Sequence, residues 1–552
     1  MTETEPETKL ETKPETETET EPGSDAVRRV VHGVLLPGFT GTSAPAWLEA
    51  AARDGLAGVV LFAHNTPDVE TTAALTARLH ELAPRLVVAV DEEGGDVSRL
   101  EAGTGSSLPG AAALGVVDDE LLTGEAGEAL GRLLAATGVD LDLAPVLDVS
   151  APGNPVIGVR AFGSSPWLVT RHGVAFVRGL HRAGVGACAK HFPGHGSTTV
   201  DSHLALPVVD GTLDDLRRRD LPPFEAAVAP DPDGGPGLDA LMTAHVVVPA
   251  LGPAPASLEP AVVSLAREMG FAGPIVTDAL DMRAVSDGVR VGEAAVRAIE
   301  AGADLLCLGT TVGRDDEALF ADAVSALTAA VTAGRLTVDR LQRSAARTGR
   351  AVAAIRDRQA AAGMRPGPAA ARAALAALGE VGGRIAARAV GTLGPGREPL
   401  TADPDVVDLR LRLDHAAGRT AQHVQRAVTE RWPGATVHPA LDDDGFAELV
   451  GALGTDPGRP LVVVTREPLP GTAEQSRLVA LRSVRPGLAV VHTGAPADAA
   501  GWFGSLPAGM PPVVVACGTG RANARAAVEL LAVGWPGASE NPGAVVASEA
   551  GA

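Results

Sequence analysis

The chain has 552 residues, of which 45% are hydrophobic and 3% aromatic, and it contains no tyrosine. A chain of this length is too long to fold around one ordinary hydrophobic core, so we predict two sizeable domains. The formal charge of −22 and the sequence pI of about 5.0 disfavour binding to nucleic acid and to anionic membrane surfaces, because both would be repelled.

The N-terminal end is a low-complexity segment rich in Thr, Glu and Pro. Residues 1–25 hold eight Glu, one Asp and two Lys, a net charge of −7. This composition cannot bury apolar surface, so we expect a disordered acidic tail without a catalytic role. The segment lacks the basic and apolar regions of a secretory signal, and no later stretch is long and apolar enough to span a bilayer. A cytoplasmic protein is therefore expected.

From about residue 30, eight short apolar runs alternate with segments of helical period. The runs are the predicted strands, at 31–38, 58–63, 86–91, 140–148, 186–192, 240–248, 274–280 and 303–309. Eight strands in alternation with helices predict a (β/α)8 TIM barrel. Catalytic groups collect at the C-terminal ends of barrel strands. The polar residues found near those ends are Asp91, Asp148, Lys190, His191, His245 and Asp278.

The segment MRPGPAAAR, at 364–372, separates the barrel from a second alternating region. There, VVDLRL, PLVVVT, LAVVHTG and PPVVVACG predict a smaller doubly wound α/β domain. We therefore expect a tail at 1–25, a catalytic barrel at 26–364 and an α/β domain at 365–552. Its GTGRAN segment lacks the full glycine pattern of a nucleotide-binding loop, so no nucleotide site is predicted.

The three cysteines, Cys188, Cys307 and Cys517, are far apart, and each lies in an apolar run. Their odd number and wide spacing predict buried thiols rather than a disulfide framework or a metal cluster. We expect neither a metal nor a cofactor.

The stretch with the most chemically capable side chains is KHFPGHGSTTVDSHLALP, at 190–207. Within it, Asp201 precedes His203 by two residues. A carboxylate in this position can fix the imidazole tautomer and raise its pKa, which suits a general acid near neutral pH. The alternatives are a metal site or purely structural loop contacts. A metal ranks lower, because neither HExxH nor a cysteine cluster accompanies the pair.

This stretch resembles the β-N-acetylglucosaminidase (β-hexosaminidase) branch of glycoside hydrolase family 3, whose hallmark is KHFPGHG followed by DSH. Three further segments resemble the family in order and spacing: VDEEGGDVSRL (90–100), NPVIGVRAFG (154–163) and IVTDALDM (275–282). The resemblance covers about residues 30–360. One difference is Asp96, where family members usually have a basic residue. We expect it to change a local contact at the rim of the cleft.

The resemblance implies that Asp278 is the nucleophile and that His203, supported by Asp201, is the acid/base. It also implies a set of sugar-binding residues: Asp91, Arg99, Arg160, Lys190 and His191. The structural alternative for the two arginines is a plain ion pair with Asp91 or Glu93. Trp47 and Trp167 fall on helix-like stretches and are expected to pack rather than to bind sugar.

These roles predict a retaining glycosidase that releases terminal β-linked N-acetylglucosamine through a covalent glycosyl-aspartate. Muropeptides of peptidoglycan recycling or chitooligosaccharides are the expected substrates, and the oligomeric state stays open. A phosphorylase could use the same residues, because a deprotonated histidine is neutral and does not repel phosphate. A β-glucosidase is weaker, since that branch typically takes its acid/base from the second domain. A non-catalytic sugar-binding or scaffold protein is opposed by the intact Asp278, Asp201 and His203.

Overall fold

The computed structural model describes most of the chain outside its two ends. The described residues are 24–154, 156–198, 206–230, 235–286, 290–309, 313–410, 422–439, 441–455, 458–506 and 509–536. Of the predicted acidic tail, only Ser24 and Asp25 belong to this set, and they begin the first helix. Asp201 and His203 lie outside it.

The first eight strands form a closed parallel barrel. Their bounds are β1 Leu35–Leu36, β2 Gly58–Leu61, β3 Val87–Val90, β4 Leu141–Asp142, β5 Gly186–Phe192, β6 Ala240–Thr243, β7 Ile275–Thr277 and β8 Leu306–Cys307. Strands β2 to β7 pair in chain order, and β1 pairs with β8. The backbone N–H of Val60 donates to Pro37 and that of Thr277 donates to Leu305, both at 3.0 Å, which joins the two sets. The predicted TIM barrel is confirmed.

Helices surround the barrel. Their bounds are α1 Ser24–His32, α2 Ala46–Arg53, α3 Val69–Leu82, α4 Ala111–Val117, α5 Glu120–Ala136, α6 Pro166–Arg182, α7 Leu213–Arg219, α8 Pro222–Val228, α9 Pro260–Glu268, α10 Arg283–Ser286, α11 Val291–Ala301, α12 Asp316–Thr332 and α13 Val338–Ala362. The first predicted strand began too early, because residues 31 and 32 complete α1. Within the described residues, no helix combines the length and the apolarity needed to cross a bilayer.

Alternation along the strands separates two apolar layers. On β2, Val60 belongs to a cluster inside the barrel, whereas Val59 and Leu61 pack against the surrounding helices. Cys188 and Cys307 belong to the inner cluster, and Cys517 is buried in the C-terminal part of the chain. All three cysteines are free buried thiols, as the sequence predicted.

The C-terminal part forms a second, six-stranded sheet in the order β11-β10-β12-β13-β14-β9. Its strands are β9 Gly391–Leu393, β10 Asp405–Asp408, β11 Thr436–His438, β12 Leu461–Thr465, β13 Ala489–His492 and β14 Val513–Val515. Its helices are α14 Pro368–Ala389, α15 His423–Arg431, α16 Asp443–Thr455, α17 Ala473–Val484, α18 Pro496–Gly504 and α19 Arg521–Val533. All strand pairs are parallel except β14 with β9.

The strand order reverses between β10 and β12, which is the mark of a doubly wound sheet, so this part of the predicted fold is confirmed. Strands β9 and β11 were not predicted, because each has three residues and the side chains of β11 are largely exposed. The exact domain boundaries, including the one at 364/365, stay a prediction.

Helix α14 connects the two sheets and packs against α3, α4, α5 and α19. Two adjacent glycines on this helix have different surroundings. A Cβ at Gly382 would overlap the carbonyl oxygen of Ser107, whereas a Cβ at Gly383 would meet nothing within 4 Å. The close contact between α14 and the barrel therefore requires glycine at position 382 and not at 383.

We expect Gly382→Ala to lower the free energy of unfolding by about 1–3 kcal/mol, because the methyl group forces α14 away from Ser107. The matched control Gly383→Ala should be neutral or stabilising by up to ~1 kcal/mol, because alanine is the better helix former. Urea unfolding of both variants measures the difference. Equal stability of the two variants would contradict the packing of α14 described here.

Candidate active site

A buried lysine lies at the centre of the catalytic face. Lys190, on β5, has a side chain that is only 2% exposed, and its Nζ lies 2.6 Å from Asp91 Oδ1 and 2.7 Å from Glu93 Oε1. Asp91 follows β3 directly. Lys190 on β5 therefore holds the segment that follows β3 in place by charge-assisted hydrogen bonds.

Two arginines complete this cluster of charges. The Nε and Nη2 atoms of Arg160 donate to the two carboxylate oxygens of Glu93 at 2.9 and 2.7 Å, which is a bidentate pair. Arg99 Nη2 lies 3.5 Å from Asp91 Oδ2. Both arginines thus make the ion pairs that were the structural alternative to sugar binding. The pairing places the Arg99 guanidinium beside Asp91 and the Arg160 guanidinium beside Glu93.

The charge states of this cluster follow from its geometry. Burial alone would raise the pKa of Asp91 and of Glu93. Lys190 acts on both carboxylates, Arg99 acts on Asp91, and Arg160 acts on Glu93. Together these cations hold both pKa values below their ordinary values. Burial likewise opposes the charge of Lys190, and the two carboxylates overcome it and raise its pKa. All three groups are therefore ionised at neutral pH.

Asp148 organises the start of the KHFPGHG loop. Its carboxylate accepts from His191 Nδ1 at 2.7 Å and from the backbone N–H of His195 at 2.7 Å. The other ring nitrogen, His191 Nε2, lies 3.5 Å from Arg160 Nη2. His191 is thus presented to the cluster in one orientation.

Asp278 lies just beyond β7 and is partly exposed. Its Oδ1 accepts from the backbone N–H of Ala279 at 2.7 Å, and the Ala279 carbonyl accepts from His245 Nε2 at 2.9 Å. The Ser257 hydroxyl oxygen lies 2.6 Å from the other ring nitrogen, His245 Nδ1. Both the backbone N–H and the carbonyl of Ala279 are therefore hydrogen-bonded, which restricts the orientation of the Asp278 carboxylate.

The predicted acid/base pair, Asp201 and His203, falls outside the described residues, and its role stays a prediction. The structure does place the beginning of that loop. The side-chain amide of Asn154 donates to the carbonyls of His195 and Gly196 at 3.1 and 2.9 Å. The segments KHFPGHG and NPVIGVRAFG are therefore in direct contact. Burial lowers the pKa of His195 to about 4, so this imidazole is neutral at physiological pH.

A second pair of carboxyls behaves differently from Asp91 and Glu93. Glu92 is 1% exposed, and burial raises its pKa to about 7 although its Oε2 accepts from the backbone N–H groups of Arg99 and Leu100. Asp142 accepts from the backbone N–H of Glu92 at 3.1 Å, and burial raises its pKa as well. Burial without an adjacent cation thus favours the protonated form.

The raised pKa of Glu92 predicts a pH dependence of stability. Because the folded pKa of about 7 exceeds the ordinary value of 4.5, the contribution of Glu92 is fully present below about pH 4.5 and is lost as pH rises through 7. The loss is about 3 kcal/mol. Glu92→Gln, which cannot ionise, should therefore gain stability relative to the natural protein over this window.

Urea unfolding of both proteins at about pH 5 and about pH 8 measures this gain. The control is Glu448→Gln on the exposed side of α16, which should leave the pH dependence unchanged. A constant difference between Glu92→Gln and the natural protein across the window would show that Glu92 is ionised throughout.

Asp96, which was expected to change a local contact at the rim of the cleft, makes its contacts with the C-terminal part of the chain. Its side chain is 1% exposed, and its Oδ2 accepts from Arg466 Nη1 at 2.6 Å. Its Oδ1 accepts from the backbone N–H and the hydroxyl of Thr519 at 2.6 and 2.9 Å. The carboxylate therefore fastens the segment after β3 to the second sheet, where a basic residue would face Arg466.

Nearby contacts join the same two regions. Arg521 Nη2 lies 2.6 Å from Glu101 Oε1, and Arg426 Nη1 donates to the Gly103 carbonyl at 2.7 Å. The backbone N–H of Gly153 donates to Asp498 at 3.1 Å. The second sheet thus contacts two of the loops that carry candidate sugar-binding residues.

We expect Asp96→Ala to lower the free energy of unfolding by about 3 kcal/mol, because the buried Arg466 loses its ionic partner. Adding Arg466→Ala should cost less than the sum of the two single changes, with a coupling of ~1 kcal/mol or more. The exposed pair of Arg525 and Glu430 is the control cycle, with an expected coupling below about 1 kcal/mol. Additive effects at Asp96 and Arg466 would contradict the interaction.

Sequence reasoning missed part of this arrangement. Glu93 was considered only as an ion-pair partner for arginine, yet it also binds Lys190. Asn154 was not singled out, and Asp148 was named only among the polar residues near the strand ends. The alternation of side chains along the DEEGG segment could have pointed to Glu93, two residues after Asp91. The described residues hold no grouping of three or more His, Cys, Asp or Glu side chains suited to a metal ion.

A closed barrel with this polar cleft at the ends of its strands, joined to a doubly wound sheet, is the architecture of a barrel enzyme. The family profile "Glycosyl hydrolase family 3 N terminal domain" matches residues 42–351. The chain therefore belongs to glycoside hydrolase family 3. The family expected from the sequence is confirmed, and with it the class of glycoside hydrolase.

Three relatives show the extent of the similarity. Beta-hexosaminidase A of Pseudoalteromonas piscicida is 33% identical over 331 residues, which cover 55% of this chain and 54% of that enzyme. A beta-hexosaminidase of Xylella fastidiosa (strain M23) is 42% identical over 265 residues, covering 46% and 76%. The structure of a family 3 beta-N-acetylglucosaminidase from Paenibacillus sp. str. FPU-7 has a TM-score of 0.76 and 30% identity, covering 93% of this chain and 98% of that one. This chain thus spans about half the length of the first relative.

Proposed function

We propose that the protein is a retaining exo-β-N-acetylglucosaminidase that hydrolyses terminal β-linked N-acetylglucosamine from muropeptides or chitooligosaccharides. The observation that carries this proposal is the position of Asp278, a partly exposed carboxylate whose Oδ1 is held by Ala279 on the face that also presents Lys190. The relatives named beta-hexosaminidase support the choice of sugar.

In the first step, an oxygen of Asp278 attacks the anomeric carbon as the glycosidic bond breaks, and His203 gives its proton to the departing oxygen. In the second step, the now neutral His203 takes a proton from water, whose oxygen displaces Asp278 from the anomeric carbon. Asp201 would hold the imidazole in the tautomer that these transfers require. The two displacements return the sugar with its original configuration.

The charged cluster is suited to the terminal sugar ring. Asp91 would accept hydrogen bonds from ring hydroxyls, while Arg99 and Lys190 would donate to sugar oxygens. Arg160 and His191 lie beside them and would complete the set. Because these side chains are already fixed by one another, little conformational entropy is lost when the sugar binds. Such hydrogen bonds strengthen as positive charge develops at the anomeric carbon.

A phosphorylase with the same residues is the alternative. It is favoured by the neutrality of a deprotonated His203, since phosphate could then approach the glycosyl-enzyme without repulsion. In that reaction phosphate replaces water in the second step, and the product is a sugar 1-phosphate. A cytoplasmic location and a role in peptidoglycan recycling stay predictions.

We expect Asp278→Asn to reduce kcat on an aryl β-N-acetylglucosaminide by ~10⁴-fold, because the nucleophile is lost. His203→Ala should reduce cleavage of chitobiose by about 10²- to 10⁴-fold but spare the first step for aryl groups that leave without a proton. A burst of aryl alcohol from His203→Ala, and none from Asp278→Asn, is therefore expected in rapid kinetics.

The control substrate is the matching aryl β-glucoside, on which turnover should be weak. If turnover rises with added phosphate and sugar 1-phosphate accumulates, the reaction is phosphorolysis and not hydrolysis. Unchanged turnover by Asp278→Asn would remove this residue as the nucleophile.

A further inference from the structure

The most exposed aromatic side chain of the described residues lies at the start of α6. Trp167 is 66% exposed, whereas the other four tryptophans are buried or partly buried. The expectation that Trp167 packs is therefore wrong, while Trp47 does pack against Phe320 with 5.1 Å between the ring centroids. Leu121, at the start of the neighbouring helix α5, is 88% exposed. Two large apolar side chains are thus open to solvent at adjacent helix ends.

The indole of Trp167 is fixed from one side. The guanidinium of Arg171 lies over the ring at 5.3 Å from its centroid. Arg171 is itself held by Asp118 Oδ1 at 2.7 Å and by Glu120 Oε1 at 2.8 Å. These two carboxylates are about half exposed, at 52% and 49%. The result is an ordered aromatic surface flanked by acceptors, which we call the rim platform: Trp167, Asp118 and Glu120.

The rim platform is connected to the candidate active site. Asp118 Oδ1 also lies 3.0 Å from His172 Nε2, and the ring of His172 stacks on Phe162 at 5.7 Å. Phe162 follows Arg160 by two residues in the NPVIGVRAFG segment. Because barrel helices begin on the face where the strands end, the first turns of α5 and α6 lie on the catalytic side. The platform therefore lies on the same side of the barrel as the candidate active site.

We propose that the rim platform binds sugar units of an oligosaccharide substrate beyond the terminal unit that is cleaved. The face of a pyranose that carries axial C–H groups is weakly positive and complements the negative face of an indole. The hydroxyls at the ring edge are donors for the carboxylates of Asp118 and Glu120. The inference rests on the proposed function for the identity of the sugar.

A glycan fits this surface better than an anionic membrane or a phosphorylated ligand. The nearby carboxylates and the formal charge of −22 would repel both. A neutral oligosaccharide meets no such repulsion and can use the apolar and the polar parts of the platform together. The ordered indole also reduces the entropy lost on binding.

The test compares substrates of different length. Trp167→Ala should lower kcat/KM for long chitooligosaccharides about tenfold more than for the aryl β-N-acetylglucosaminide, chiefly through a higher KM. Trp167→Phe, which keeps an aromatic face, should restore most of the loss. The matched control is Val533→Ala, which shortens another exposed apolar side chain on α19 and should leave the ratio between the two substrates unchanged.

Equal effects of Trp167→Ala on short and long substrates would overturn the proposal, and so would no effect on either. A change in oligomeric state on sedimentation of Trp167→Ala would also overturn it, because the surface would then be an interface between copies. If the natural protein does not cleave the aryl substrate, the proposed function fails by itself. Calorimetry with intact chitooligosaccharides then tests whether the rim platform binds sugar. The proposal is supported if Trp167→Ala binds them about tenfold more weakly than Val533→Ala does.

Discussion

The catalytic face depends on one buried charge, the ammonium group of Lys190. A lysine that is 2% exposed is unfavourable unless anions surround it, and here Asp91 and Glu93 lie within 2.7 Å. Glu93 in turn needs Arg160, so the ends of β3 and β5 and the loop after β4 are bound into one network. Removal of any member would take an ionic partner from another charge of this network. The geometry of the cleft is therefore set by the requirement that these charges neutralise one another.

The same principle assigns opposite charge states to three consecutive acids. Asp91 and Glu93 face cations, and their pKa values are lowered. Glu92 points to backbone N–H groups of the same loop, lies close to Asp142, and has a raised pKa. The ionised carboxylates of Asp91 and Glu93 are thus separated by a carboxyl that is largely neutral below pH 7. A third negative charge at this place would be repelled by neighbouring carboxylates and would be buried without a paired cation.

The second sheet extends these constraints. Asp96 follows the charged cluster by only a few residues and is bound by Arg466 and Thr519. The loop that begins with Asp91 is therefore held at one end by Lys190 and further along by the C-terminal part of the chain. This arrangement gives the second sheet a structural role beside the cleft. It also explains why an acidic residue is accommodated at position 96.

The sequence by itself determined the barrel, the doubly wound sheet and the strand-end positions of Asp91, Lys190 and Asp278. Those features depend on local hydrophobic periodicity and on contiguous motifs, which can be read along the chain. It did not determine that Glu93 shares Lys190 with Asp91, that Asp96 pairs with Arg466 or that Trp167 is exposed. These contacts join residues far apart in sequence or depend on which side of a helix remains uncovered. Only the tertiary structure decides them, because burial and charge pairing are properties of the packed chain rather than of any local pattern.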